Sequence, residues 1–332
     1  MIVASIESSL PKLTLDGELV IVHPHRETVA LLPKEIFSSL RETLDSWEAH
    51  LPKLLEIDKK LRAGSWSETR AVSEVRFKAP LPRSWAFLDG SAFIQHVLLV
   101  RKARGAAAPE DLLTVPLMYQ GASDNLIGPY EDMPLRAQSD GMDFESEVGV
   151  ITGPVPLGTK AMDADKHIRL ILLINDISLR ELIPRELATG FGFFHGKPPS
   201  SFSPFAVTPD ELGADWRGGR LHLPVTTRLN GAHFGHPNAG EMHFSFHDLI
   251  EYAATTRPLS AGTILGSGTV SNKDEAIGSS CLVERRMLEK IQSGAISTRY
   301  LHHGDTVEIS VIKDGVNIFG SIHQTVRQMK QS

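Results

Sequence analysis

The stretch Asp143-Phe144-Glu145-Ser146-Glu147-Val148-Gly149-Val150-Ile151 alternates acidic residues with apolar or small ones. Read as a β-strand, its period of two places Asp143, Glu145 and Glu147 on one face and Phe144, Ser146 and Val148 on the other. Three carboxylates along one face repel one another, and the local sequence supplies no Lys or Arg to pair with them. Two readings stand open. One is a solvent-facing edge strand, where alternating acids are common. The other is a strand whose carboxylates hold a divalent cation, because hard cations prefer carboxylate oxygen.

Moving outward, residues 163–176 read as a short helix-forming stretch followed by the apolar strand RLILLIND, which ends abruptly at Asn175-Asp176. A polar pair at the end of a buried strand suits a functional site, although a cap on the following SLRELIPREL competes with that account. On the other side, Asp89 and His96 interrupt the apolar segment that opens at Phe87. They lie seven apart, two helical turns if a helix intervenes. An N-cap for the Asp and a core position for the His are the plainer explanations. Tyr119 closes a short apolar run bounded by turn signals. GFGFFHGKPPSSFSPF, with Phe191, Phe193, Phe194 and Lys197, reads as an ordered loop lining something, or as a connection packed by its phenylalanines.

His222, His233, His236, His243 and His247 crowd residues 220–256. The last pair has the i, i+4 spacing of a zinc site on a helix, yet HFSFH alternates like a strand, and loop or hairpin histidines are the simpler account. LSAGTILGSGTVSN lacks the GxGxxG spacing of a dinucleotide site and reads as a strand entering a tight glycine turn that displays Thr269 and Ser271. The tail is two alternating strands joined at Asp314-Gly315, a strong hairpin signal. At the other end, residues 17–32 read as short strands around a turn. Residues 33–64 show helical spacing interrupted by Pro52. The sequence thus divides into a small N-terminal structural domain at 1–75 and a β-rich main domain at 76–332, with Val72–Pro82 as the crossing.

A chain of 332 residues suits one large core with a smaller unit appended. The net charge of −6 gives no support for a nucleic-acid or anionic-membrane surface. No apolar run approaches the roughly 20 residues that span a bilayer. The opening residues lack the basic start and apolar core of a signal peptide. The single cysteine, Cys281, excludes an intrachain disulfide, and cytoplasmic residence is expected.

With these residues in order, the chain closely resembles the fumarylacetoacetate hydrolase family from about Trp85 to the C-terminus. The acidic strand is similar to the family's paired-glutamate strand, and Asn175-Asp176 with Ser178 and Arg180 to its Asn-Asp-x-Ser-x-Arg motif. The Asp89…His96 spacing is that of its first metal ligand and catalytic histidine. Lys197 before Ser203-Pro204 resembles its active-site lysine, and Gly268-Thr269-Val270-Ser271 its substrate loop. The resemblance implies an α/β, β-rich fold, a mixed β-sheet roll or sandwich with connecting helices, and for this length a small N-terminal domain. It implies Asp89, Glu145, Glu147 and Asp176 as ligands of Mg²⁺, with Ca²⁺ or Mn²⁺ as other choices of hard ion. His96 would activate water, Glu284 orient it, and Lys197 and Arg180 supply positive charge, with Tyr119 and Thr269 contacting substrate. The implied reaction is hydrolytic carbon–carbon cleavage of a β-diketo acid by a homodimer.

The sequence also departs from the family pattern. The glutamate nearest the expected position of the histidine's partner, Glu284, lies two residues late. The polar Gln and Tyr that bind substrate fall at Ile183 and Leu187, and the loop after Lys197 is one residue shorter. A decarboxylase, hydratase, isomerase or sugar-acid dehydratase on the same scaffold is the nearest rival. A non-catalytic, metal-stabilised binding protein is the rival from another class.

Overall fold

The computed structural model describes residues 1–8, 10, 14–104, 107 and 109–329. Parts of the opening segment, at residues 9 and 11–13, and the last three residues of the expected catalytic domain lie outside the described residues.

The apolar run Ile168–Asn175 forms the central strand, and its alternation feeds two cores. Ile171 and Leu173 enter one, whereas Leu170, Leu172 and Ile174 enter the other. It is paired antiparallel with Ser146–Thr152, which in turn pairs with Ile264–Gly266. Ile264–Gly266 runs parallel to Phe87–Gly90, and Met118–Gly121 closes that edge of the sheet. On its other side the central strand meets Ser201–Phe202 and Ala206–Val207. The latter pairs with Ile2–Ile6, and the sheet continues through Glu18–Val22 and Thr28–Leu31 to Thr69–Ala71. The N-terminal strands therefore extend the same eleven-stranded sheet.

Helices Leu40–Asp45 and Trp47–Arg62 cover one face of this sheet, packing Leu44, Leu54 and Ile57 into the core that also takes Leu170 and Leu172. Pro52 does not interrupt the helix as expected; it lies inside Trp47–Arg62, and the break falls at Ser46. Pro52 is the sixth residue of that helix, past the first-turn N–H groups that lack intrahelical partners, so it removes one i to i−4 bond, to the Glu48 carbonyl, and the helix continues beyond it. On the opposite face sits a five-stranded sheet, in the order Ala232–Gly235, Thr226–Leu229, Thr306–Ser310, Ile322–Gln328 and Met133–Leu135. The fold is thus a sheet-rich α/β layering, as expected, with the larger core between the two sheets. Asp314 and Gly315, with φ of 51° and 78°, make the two-residue turn of the tail hairpin. No helix among the described residues is long and apolar enough to cross a membrane.

The acidic stretch is not one strand. Met142–Asp143 pairs with Ser178–Leu179 in a separate ribbon, and Ser146–Thr152 resumes in the main sheet. Between them the Asn175 side chain accepts from the Glu145 N–H at 3.3 Å, and the Asp176 N–H donates to the Glu145 carbonyl at 3.0 Å. Both neighbouring chains leave the main sheet together, so residues 145 and 176 stand at the switch.

Ile171 is fully buried in the central strand, at the junction with Val207. Ile171→Ala should cost about 2–5 kcal/mol in denaturant-unfolding free energy, without altering the secondary-structure content of the remaining folded protein.

Candidate active site

Three strands deliver carboxylates to one point. Asp89 comes from Phe87–Gly90, Glu147 from Ser146–Thr152, and Asp176 from the residue after Ile168–Asn175. All three are buried, and one oxygen from each lies within 4.8 Å of the others. Asp89 is not a helix cap. It sits in a strand directly beside Gly266, and its Oδ1 accepts from the Gly268 N–H at 3.0 Å. Gly266 is what permits the approach, since a Cβ there would lie 2.4 Å from Asp89 Oδ1 and 3.1 Å from Glu147 Oε2.

Asp176 is well provided with donors. Tyr119 OH donates to its Oδ2 at 2.7 Å, Ser200 Oγ to its Oδ1 at 2.5 Å, and the Lys197 ammonium also bonds it. Glu147 is the opposite case: it is fully buried and neither oxygen has a donor among the described residues. Burial, and then the charge of Asp176, push Asp89 up to about 8, and burial with the charge of Asp89 raises Glu147 well above the usual carboxylate range. Buried carboxylate oxygens without donors are costly unless a cation completes them, and an all-oxygen donor set suits a hard divalent ion. The residues present therefore fit such an ion.

Glu145, expected as a fourth ligand, falls outside that triplet. Its Oε1 accepts from Arg180 Nη2 at 2.6 Å and its Oε2 from Lys197 Nζ at 2.6 Å. Burial works to raise its pKa, but these two cations prevail and hold it well below the usual range. Arg180 also donates from Nε to Asp143 at 2.9 Å. The two cations expected to face a reacting oxygen are thus engaged with carboxylates, and the acidic stretch draws its counter-charges from residues far along the chain.

His96 lies in the first turn of helix Ile94–Arg104, after a non-helical link from Asp89. Its Nδ1 is 2.9 Å from Glu284 Oε2, so the two-residue displacement of Glu284 does not prevent the pairing. Glu284 is held in the first turn of helix Leu282–Ser293. A carboxylate accepting from Nδ1 leaves Nε2 as the basic nitrogen. His96, Tyr119, Thr269, Arg180, Lys197, Asp89, Glu145 and Glu147 all line one cavity of about 390 Å³. Asp176 lies beneath its floor.

Sequence reasoning missed three contributors. Asp143 accepts from the backbone N–H groups of Leu282 (2.7 Å) and Val283 (2.9 Å), seating the helix that carries Glu284. Ser178 donates to Glu145 at 3.3 Å, and Ser200 to Asp176. Asp143 stood in the acidic stretch but with no sign of this role, Ser178 lay in a motif, and Ser200 shows no signal until the chain is folded. The histidines of 220–256 are scattered: His233 and His236 share a hairpin, His243 reaches the Leu113 carbonyl, and His247 stands beside Asp165.

Residues 86–327 match the family described as Fumarylacetoacetate (FAA) hydrolase C-terminal, and residues 3–83 match Fumarylacetoacetase N-terminal domain 2. The human mitochondrial oxaloacetate tautomerase FAHD2B is 27% identical over 203 residues, 59% of each chain, so the match spans less than two thirds of that relative's length. Oxaloacetate tautomerase YisK of Bacillus subtilis is 25% identical over 272 residues, 80% of each. The 2,4-didehydro-3-deoxy-L-rhamnonate hydrolase of Sphingomonas sp. SKA58 is 28% identical over 61% of this chain and 63% of its own. Among solved structures, an HpcE protein from Mycobacterium smegmatis, 18% identical, superposes over 99% of this chain and 100% of its own with a TM-score of 0.69. A maleylpyruvate hydrolase from Sphingobium sp. SYK-6, in complex with manganese(II) and pyruvate, gives 0.64 at 15% identity over 99% of this chain and 100% of its own.

Raised folded-state pKa values mean that the native protein holds protons the unfolded chain has released. Stability from Asp89 and Glu147 is therefore complete below about pH 4 and is lost as pH climbs through the folded value near 8 for Asp89. In the presence of a chelator the melting temperature should fall between about pH 5.5 and 8.5, and millimolar Mg²⁺ should flatten that fall. Glu147→Gln should melt higher than the parent in chelator at pH 8 and gain little from Mg²⁺.

Proposed function

The chain belongs to the fumarylacetoacetate hydrolase family, and on that premise we propose that it is a divalent-metal-dependent hydrolase that cleaves the C3–C4 bond of an acylpyruvate-type β-diketo acid. The observation that carries this reading is the His96–Glu284 pair, 2.9 Å apart, on the same cavity as the carboxylate floor. A reaction that needs water activated calls for a base with a fixed tautomer, and that pair provides one. Asp89, Glu147 and Asp176 would hold the ion, with Glu145 as the adjoining carboxylate. When bound, the ion would supply positive charge that stabilises negative charge developing on the substrate.

His96 takes a proton from water through Nε2 as the water oxygen adds to C4. The C3–C4 bond then breaks, its electron pair passes to C3, and C3 regains a proton. One water is consumed, giving a carboxylic acid and pyruvate. Glu284 stabilises the imidazolium formed in between. Lys197 and Arg180 offset the floor's negative charge, so that the substrate carboxylate is not repelled.

The tautomerase relatives favour a second reading, keto–enol interconversion of oxaloacetate. There the same base would act on a C3 proton and no water would enter. Acetylpyruvate, fumarylpyruvate and oxaloacetate, each with Mg²⁺ and with chelator, separate the two. Pyruvate release from a diketo acid, abolished by chelator, is the expected result. Accelerated loss of enol oxaloacetate with no cleavage of any diketo acid would replace hydrolysis by the second reading.

His96→Ala should keep bound metal while turnover falls by about 10²–10⁴. Glu147→Ala should lose both, and metal content equal to the parent's would remove Glu147 from the ligand set.

A further inference from the structure

Resting on the hydrolase reading, we infer that the acyl group opposite the pyruvate end is uncharged and apolar, an aliphatic or aryl chain rather than one ending in a second carboxylate. The cavity has two unlike halves. Its floor is the charged set already described. Its walls come from two helices that both turn apolar faces inward. Helix Ile94–Arg104 offers Val97 and Val100 one turn apart, continued by Phe93, on the face that carries His96. Helix Ile183–Thr189 offers Ile183 and Leu187 at i, i+4, the two positions where a polar pair was expected.

Leu117 and Phe193 complete the upper wall. Leu187 is 46% exposed and Leu117 39% exposed, so apolar surface stands open at the mouth. An apolar chain extending from the floor would cover it. A carboxylate placed there would lose water and meet no donor from these side chains. One cation, Arg101, stands among the described wall residues; it is half-buried and its Nη1 donates to the Ala107 carbonyl at 2.9 Å. A second substrate carboxylate, if the site took one, would have Arg101 as its only cation among the described wall residues, with the Ser91 and Thr269 hydroxyls as neutral donors.

The test compares acetylpyruvate, hexanoylpyruvate and benzoylpyruvate with fumarylpyruvate, using the Mg²⁺-loaded full chain. kcat/KM should rise by up to about fourfold per methylene that enters the walls. Hexanoylpyruvate and benzoylpyruvate should exceed fumarylpyruvate by at least tenfold. Leu187→Ser, at a half-exposed position that leaves the core intact, should reduce the hexanoyl-to-acetyl ratio severalfold. A fumarylpyruvate preference that disappears in Arg101→Gln would overturn the inference while leaving hydrolysis standing. Calorimetric Kd values for hexanoylpyruvate and fumarylpyruvate on Mg²⁺-loaded His96→Ala decide the class independently of turnover. Fumarylpyruvate binding as tightly or more tightly overturns the inference. Tighter hexanoylpyruvate, with no cleavage by the parent, upholds the class and removes the hydrolase reading instead.

Discussion

Five carboxylates gather in or beside one buried floor, and two cations answer them. Asp89, Glu145, Glu147 and Asp176 lie together, Asp143 adjoins through Arg180, and Lys197 sits between Glu145 and Asp176. With every group ionised, the described residues leave an excess of three negative charges out of water. Two outcomes lower it: protons on carboxylates that burial pushes up, Asp89 and Glu147 among them, or a divalent cation shared by the triplet. Protons and metal therefore compete for one site, and the rest of the architecture makes that competition possible by keeping solvent out.

The sheet supplies the rigidity. The central strand buries both faces, so neither Ser146–Thr152 nor its partner can slip register without exposing one core or the other. Backbone spacing alone brings Asp89 and Glu147 together, because Ile264–Gly266 lies between their strands and Gly266 presents no side chain to part them. Gly268 follows at φ +73°, where a Cβ would meet the Gly90 carbonyl at 2.3 Å. A left-handed glycine there aims its own N–H at Asp89. Close approach and donor come from the same turn.

Much of this was legible beforehand, for identifiable reasons. Period-two spacing and the strand-end pair marked Glu145, Glu147 and Asp176, and a two-residue Asp-Gly turn marked the tail hairpin, since these are local patterns. What escaped was non-local. The missing counter-charges of the acidic stretch came from positions 180 and 197, more than thirty residues downstream. The stretch also broke in two because the Asn175 side chain took over a backbone partner at Glu145, which no period reveals. Pro52 misled for a related reason: it costs one local helical bond, whereas Leu54, Ile57 and Leu61 beyond it are held by packing into the core. Glu284 was suspected on position alone, and three-dimensional packing of one helix against another brought it to His96.

That packing explains how two separate devices share one cavity. The floor belongs to the sheet, whereas His96 and Glu284 belong to two helices that pack together outside it. Asp143 ties them. One carboxylate accepts the first free N–H groups of helix Leu282–Ser293 and the Nε of Arg180, whose other nitrogen grips Glu145. A charge placed at a helix N-terminus is favourable in itself. Here it also fixes the start of that helix, and hence Glu284 two residues further on, relative to the carboxylates below. The base is thus registered to the floor through a run of charge-assisted bonds rather than through apolar packing alone. Such bonds fix direction as well as distance, which a proton acceptor above a bound substrate requires.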